Sequence, residues 1–322
     1  MIYIILIILV SLFSLNMGGG NFGASFAAAY GGNIITKRRA QLLFGIFLFL
    51  GAVTIGRPVS ETLGNRIIPS ELIRPDTLVI IFISATLCLL IANIIHVPQS
   101  TSLVTVGSIL GVGLYYKSIY TSTFQYLVPF WIGLPLLGYG LTYFLGRLVY
   151  PPRNKNFWIY EKLVNHRDRL KLFVIIASCY NAFSVGANNV ANAVGPLAGA
   201  GIVSNILGLV LVAPVFGLGS LVFAGPLKTV SEKIVPIGLF SATIVCFVTG
   251  TIMIIASALG VPQSFVMIKV AALFAISGLK NGHRLTFSNP ATKKTYLTWL
   301  ITPIIAVILS YLLTGVKHVF LK

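Results

Sequence analysis

Long runs without a single charged side chain constrain this sequence more than any other feature. They extend from Met1 to Thr36, Ala40 to Gly56, Leu172 to Leu227, Ile234 to Ile268 and Thr295 to Val316. A membrane-crossing helix needs about 20 apolar residues, so several of these runs hold one span and the longer ones hold two. The runs are continuously apolar, not alternating, which excludes a transmembrane β-barrel. Only 9% of the 322 residues are charged and 57% are hydrophobic, whereas soluble domains carry about 25% charged residues. A water-soluble globule and a disordered chain are both excluded. The expected fold is an all-α polytopic membrane protein.

The net charge of +17 does not point to nucleic acid in so apolar a chain, because basic residues collect in the cytoplasmic loops of membrane proteins. Cys88, Cys179 and Cys246 lie singly inside apolar stretches, a pattern of neither disulfides nor metal ligation. No cofactor or metal site is expected. The opening Met1-Ile2-Tyr3-Ile4 lacks a basic n-region and no A-x-A site follows, so the first segment is expected to stay as a span.

The sequence repeats itself. Gly18-Gly19-Gly20-Asn21-Phe22-Gly23-Ala24-Ser25 aligns with Gly186-Ala187-Asn188-Asn189-Val190-Ala191-Asn192-Ala193, an offset of 168 that carries Leu50-Gly51 onto Leu218-Gly219 and Pro58 onto Pro226. After one deletion Thr62 falls on Thr229 and Ile68-Pro69 on Val235-Pro236; further on, Val97-Pro98-Gln99-Ser100 matches Val261-Pro262-Gln263-Ser264. The halves are residues 1–150 and 172–322, joined by a basic linker at 151–171. With about five membrane segments per half, the second repeat would be inverted relative to the first. Equivalent loops should then carry opposite charge bias. They do: Lys37-Arg38-Arg39 corresponds to an uncharged Gly201–Asn205, and Lys280, Arg284, Lys293 and Lys294 to a region around the single Lys117. With the amino terminus outside, fifteen Lys and Arg fall in cytoplasmic loops and six in external segments, the asymmetry expected of a cytoplasmic linker. Inverted repeats with broken helices or re-entrant hairpins build secondary transporters, with the site near the midplane.

Two sets of motifs are placed to line such a site. The first is the small-residue segment Asn16–Asn33 and its counterpart from Asn181, where glycines, Asn188-Asn189 and Pro196 are expected to interrupt the helix. Glycine and alanine serve close helix packing, but buried amides need partners, which singles out Asn21, Asn189 and Asn192, with Ser25 and Asn188 beside them. The second set is Pro98-Gln99-Ser100-Thr101-Ser102 and Pro262-Gln263-Ser264. Proline opens a helix, and the hydroxyls within its first turn either cap it or hold a tetrahedral oxyanion together with free N–H groups.

These residues carry a family resemblance. The Gly186–Ala193 motif resembles the repeated G-A-N-D-x-A-N-A signature of the inorganic phosphate transporter (PiT) family, and Leu50–Val53, Pro58–Thr62 and Pro98–Ser102 fall where that family has similar segments. The sequence is most similar to the sulfate permease branch. The resemblance spans the whole chain and implies alternating access around one oxyanion site, with cation coupling. Two departures matter. Asn21 and Asn189 stand where phosphate transporters keep aspartate, which puts sodium coupling in doubt and suits a dianion such as sulfate. Lys228 precedes Thr229 where Glu61 precedes Thr62; the family commonly has glutamate at both places.

Three single residues complete the candidate set. Lys269 sits inside the apolar stretch Ser264–Ile276, where a lysine costs at least about 2.5 kcal/mol to insert. It either offsets the anion's charge, stands in for a lost coupling cation, or snorkels to the interface. His96 and Glu61 are candidate proton carriers, Glu61 with the alternative of pairing to Arg57 or Arg66. The expectation is a proton-coupled permease for a tetrahedral oxyanion, sulfate before phosphate, with lipid as surroundings and a homodimer compatible with it. An anion channel is the reading from another class. An enzyme is disfavoured, since the sequence has no H-E-x-x-H, no G-x-S-x-G and no paired intramembrane carboxylates.

Overall fold

The computed structural model describes residues 1–94, 99–152, 154–222 and 238–320, and no strand forms among them. The first half holds α1 (Ile2–Gly31), α2 (Lys37–Ile55), the short α3 (Arg57–Asn65), α4 (Pro75–Ile94), α5 (Thr101–Tyr115) and α6 (Thr121–Val149). The linker carries α7 (Phe157–Asn165), so it is partly helical. The second half holds α8 (Arg167–Asn189), α9 (Ala191–Gly199), α10 (Asn205–Val222), α11 (Leu239–Ala258), α12 (Phe265–Asn281), α13 (His283–Ser288) and α14 (Pro290–Phe320).

Eight helical stretches among the described residues are long and apolar enough to cross a membrane, four in each half. The fifth apolar helix of each half is shorter: α5 has 15 residues and α12 has 17, about 22 and 25 Å of helix against a hydrocarbon core of about 30 Å. The turn leading into α12 lies inside the protein, with Val261 and Gln263 0% and Ser264 1% exposed. A turn at a membrane surface would be wet. α11 and α12 therefore form a hairpin whose tip is buried, and Gln99 and Ser100 mark the same buried position ahead of α5.

The repeat seen in the sequence recurs in the elements. α4 and α11 have the same length and the 164-residue offset at both ends. Thr36 caps α2 by accepting from Arg39 N, and Ser204, 168 residues on, accepts from Leu207 N ahead of α10. Ser100 and Ser264 cap α5 and α12 by accepting from Leu103 N at 3.1 Å and Met267 N at 3.2 Å. α1 and α9 give way at Asn33 and Gly201, also 168 apart, both with positive φ.

Packing crosses between the halves. α1 lies on α10 and its counterpart α8 lies on α2; α5 lies on α14 and α12 on α6. Glycine makes the first two contacts. A Cβ on Gly51 would stand 1.9 Å from the Phe183 carbonyl oxygen and one on Gly186 1.9 Å from that of Leu48; at the matching crossing the distances are 1.8 Å for Gly18 and 2.1 Å for Gly219. Such contacts bring backbones together where lipid supplies no hydrophobic drive between helices. The halves consequently share one core, in which Phe13, Phe44 and Phe82 pack with Phe216, Phe265 and Phe274. On the periphery α6 and α14 turn Leu136, Phe144, Leu300 and Leu312 outward, as lipid-facing helices do.

One expectation fails in part. α1 runs unbroken through its glycine-rich segment, whereas the chain from Arg167 to Gly199 is interrupted, and then only by the turn at Val190. Pro196 lies within α9, past that turn, and Val190 itself keeps helical angles (φ −63, ψ −33), so the interruption is slight; glycine and alanine alone leave α1 helical.

Candidate functional site

The central contact is between two residues one repeat apart. Asn189 Nδ2 donates to Asn21 Oδ1 at 2.9 Å, and Asn21 Nδ2 donates to the Met17 carbonyl at 2.9 Å. The pair joins the two halves through residues 168 positions apart in the sequence. Both side chains are 0% exposed.

The hairpin tips close on the same place. Asn192 Nδ2 donates to Ser102 Oγ at 3.1 Å, and Ser102 Oγ donates to the Gln263 carbonyl at 3.0 Å. Asn188 holds the second tip from both sides: its Oδ1 accepts from Gln263 N at 2.9 Å, while its Nδ2 donates to the Val261 carbonyl at 2.9 Å and to Ser257 Oγ at 3.0 Å. Asn188 thus positions the tip with its whole amide. α5 and α12 begin here, so two helix N-termini with their partial positive charge converge on the cluster.

Several polar atoms in this region have no partner. They are Ser25 Oγ, Gln99 Oε1, Asn189 Oδ1, Asn192 Oδ1 and both amide atoms of Gln263. A buried amide without a partner costs about 1–3 kcal/mol, and a concentration of such atoms signals a place built for a ligand. Ser100 and Ser264 are committed to capping, and Thr101 gives its carbonyl to Thr105 Oγ1 at 3.0 Å. The cluster is sealed, with Gln99 and Thr101 its most exposed members at 6% and 7%. Open clefts lie elsewhere, one of them on the outer side of α2 and α10 around Gln41 and Pro214. A lipid-side groove of that kind has little polar chemistry, so the closed amide cluster is the stronger candidate.

Lys269 stands apart from the rest. It is 4% exposed and lies five residues after Ser264, about 8 Å along α12. Its Nζ donates to Cys246 Sγ on α11 at 3.0 Å and sits 5.9 Å from the Phe265 ring centroid. The Asn181 amide on α8 satisfies both its ends when assigned with its nitrogen toward the Cys246 carbonyl and its oxygen toward Lys269 Nζ, each at 2.8 Å. This orientation matches donor to acceptor at both ends. Lys269 does not snorkel outward, and it makes no hydrogen bond to the amide cluster. Asn181 and Cys246 were not among the sequence candidates. Asn181 carried a signal, lying seven residues before Asn188 and so on the same helical face; Cys246 carried none.

Glu61 lies on α3 and pairs with Arg57 at 2.7 Å, in the partly exposed i,i+4 arrangement. Its helix nonetheless reaches the hairpin tip: Gly260, at φ +69, is packed so that a Cβ would come 3.2 Å from the Pro58 carbonyl. His96 and Lys228, the other coupling candidates, lie outside the described residues, as does Pro98.

Comparison with known proteins identifies the family and the fold. A profile described as the phosphate transporter family matches residues 17–310. The chain is 33% identical over 318 residues to the sulfate permease CysP of Bacillus subtilis, covering 98% of this chain and 87% of that one. It is 26% identical to a putative phosphate permease of Pyrococcus furiosus, covering 89% of each. A solved structure titled the sodium-dependent phosphate transporter superposes with a TM-score of 0.83 at 26% identity over 99% of both chains. By the extent of the profile match, and by its identity to a relative aligned over nearly its whole length, the chain belongs to the phosphate transporter family.

Proposed function

We propose that this multi-pass permease moves sulfate by alternating access, coupled to protons and not to sodium, through the cluster between Asn21, Asn189, Asn192, Ser102 and Gln263. The observation that carries the reading is the chemistry of those groups: every one is a neutral amide or hydroxyl, several are unpartnered, and two helix N-termini point at them. Sulfate is fully deprotonated near neutral pH and only accepts hydrogen bonds. The unpartnered donor Gln263 Nε2 and the two helix N-termini can donate to it, and no carboxylate of the cluster repels it. Anion sites at helix N-termini work the same way. The identity to a sulfate permease supports this substrate.

The arrangement of offset-matched contacts, with an odd number of membrane segments per half, supports an inverted relation of 1–150 to 172–322. The charge asymmetry supports an external amino terminus and a cytoplasmic linker. A cysteine introduced at Lys155 should then react with an impermeant maleimide only after cells are opened; labelling of intact cells would reverse the orientation. The native cysteines Cys88, Cys179 and Cys246 are buried and should add little background.

Phosphate is the second reading. It is favoured by the unpaired acceptors Asn189 Oδ1 and Asn192 Oδ1, which suit a ligand bearing a proton, and by the phosphate permeases among the relatives. Uptake of labelled sulfate into proteoliposomes separates the two. The expected result is saturable uptake, driven by an inward proton gradient, unchanged by sodium and competed by thiosulfate more strongly than by phosphate. Uptake competed by phosphate alone, or strictly dependent on sodium, would overturn the sulfate assignment.

A further inference from the structure

The two repeats differ most sharply at the place where Lys269 sits. Under the repeat offsets Asn181 corresponds to Phe13, Cys246 to Phe82 and Lys269 to Thr105. In the first repeat the position is an aromatic contact, the Phe13 and Phe82 rings lying 5.6 Å apart and fully buried, while Thr105 satisfies its own helix. In the second repeat an amide, a thiol and an amine occupy the same place, the amine facing both the thiol and the amide oxygen. Nothing about packing two helices requires this exchange, since the first repeat achieves it with phenyl rings. A polar triad in one half alone indicates a task that the cycle needs performed once.

We infer that Lys269 carries the coupled proton: as an ammonium it accompanies the bound oxyanion inward, and as a neutral amine it lets the empty carrier return. The inference rests on the oxyanion reading above. Its chemistry is a simple balance. With the site open outward, the amine lone pair takes a proton from external water as the anion binds; with the site open inward, the anion leaves and the ammonium returns that proton to internal water.

The partners of Lys269 suit both forms. A thiol accepts a hydrogen bond from an ammonium and can donate one to an amine, and the Asn181 carbonyl oxygen accepts N–H from either. A carboxylate partner would instead lock the lysine in its charged state. None is present among the described residues. Glu61 pairs with Arg57, Asp76 with Arg74 and Lys317, and Asp168 with Lys171, while Glu71 and Glu161 are exposed. Cys246 on α11 is the titratable group in contact with Lys269. α8 presents Asn181, α12 itself presents Phe265, and the α6 residues Tyr139 and Tyr143 face His283 instead. No carboxylate among the described residues faces Lys269, and the amide cluster begins about one and a half helical turns away. Across low-dielectric protein a dianion there and an ammonium here stabilise each other strongly, which is the linkage that couples two fluxes.

Three variants in proteoliposomes test this. Lys269→Arg, which keeps its charge throughout, should lose proton-driven net accumulation of labelled sulfate, by at least about tenfold, yet retain exchange of external labelled for internal unlabelled sulfate, because exchange never requires the empty carrier to return. Lys269→Gln, fixed in the neutral form, should return empty but carry no proton, so its uptake should no longer respond to the proton gradient. Lys269→Met reports whether the fold tolerates loss of the amine, through its thermal unfolding. Accumulation by the Arg or Gln variant that matches wild type overturns the inference. So does loss of exchange together with accumulation in a folded Lys269→Arg variant, which would make Lys269 part of the binding site. Wild-type protein that neither accumulates nor exchanges sulfate or phosphate would instead remove the oxyanion reading, and this inference with it.

Discussion

Asn189→Asp should reduce sulfate uptake by about two orders of magnitude or more. The substitution preserves shape but changes two things at the centre of the protein. First, the Asn189 nitrogen that donates to Asn21 Oδ1 at 2.9 Å becomes an oxygen, so two acceptors face each other until Asn21 turns and gives up its bond to the Met17 carbonyl. Second, a carboxylate at a position that is 0% exposed repels the substrate. Two unit charges about 6 Å apart at an effective dielectric of about 20 interact by about 3 kcal/mol, and a dianion doubles that. Since about 1.4 kcal/mol is tenfold in affinity, even half of this repulsion exceeds a hundredfold. A small cation beside the new carboxylate would cancel the charge, so sodium should restore part of the uptake in this variant while leaving wild type unchanged. Initial rates with and without sodium check both statements. Uptake by the variant within about threefold of wild type would mean that Asn189 does not face the substrate, because the repulsion estimate leaves no room for so small an effect.

Much of this arrangement was legible in the sequence because it depends on local chemistry. Uncharged runs give the spans, and the helix caps Ser100 and Ser264 announce themselves as hydroxyls ahead of apolar helices. Asn21 and Asn189, singled out as buried amides that need partners, are found bonded to each other. What could not be read was relative depth and long-range contact. Asn181 and Cys246 reach Lys269 from 88 and 23 residues away, and no periodicity brings a thiol to a particular amine. The expected break in α1 fails for a different reason: a stretch rich in glycine reads as weak helix in water, but the α1 backbone remains helical while Gly18 and Gly219 approach each other. Glu61, a coupling candidate by its neighbourhood, is the carboxylate of an ordinary i,i+4 pair with Arg57, a contact its spacing had already allowed.

Gln263 offers the sharpest separation between a structural and a functional role. Its backbone does the holding: Gln263 N donates to Asn188 Oδ1 and its carbonyl accepts from Ser102 Oγ. Its side chain, 0% exposed, has neither amide atom partnered. In a protein that binds nothing there, that amide is a defect, and Gln263→Leu should relieve it, raising stability by about 1 kcal/mol. In a protein that grips an oxyanion there, the same change removes a charge-assisted hydrogen bond worth about 1.5–3 kcal/mol. The deciding measurement is equilibrium binding of labelled sulfate to purified wild-type and Gln263→Leu protein, with thermal unfolding of both. Binding weakened by about tenfold or more in a variant at least as stable as wild type is the predicted result. Equal affinity in the two proteins would contradict the placement of the anion between the hairpin tips.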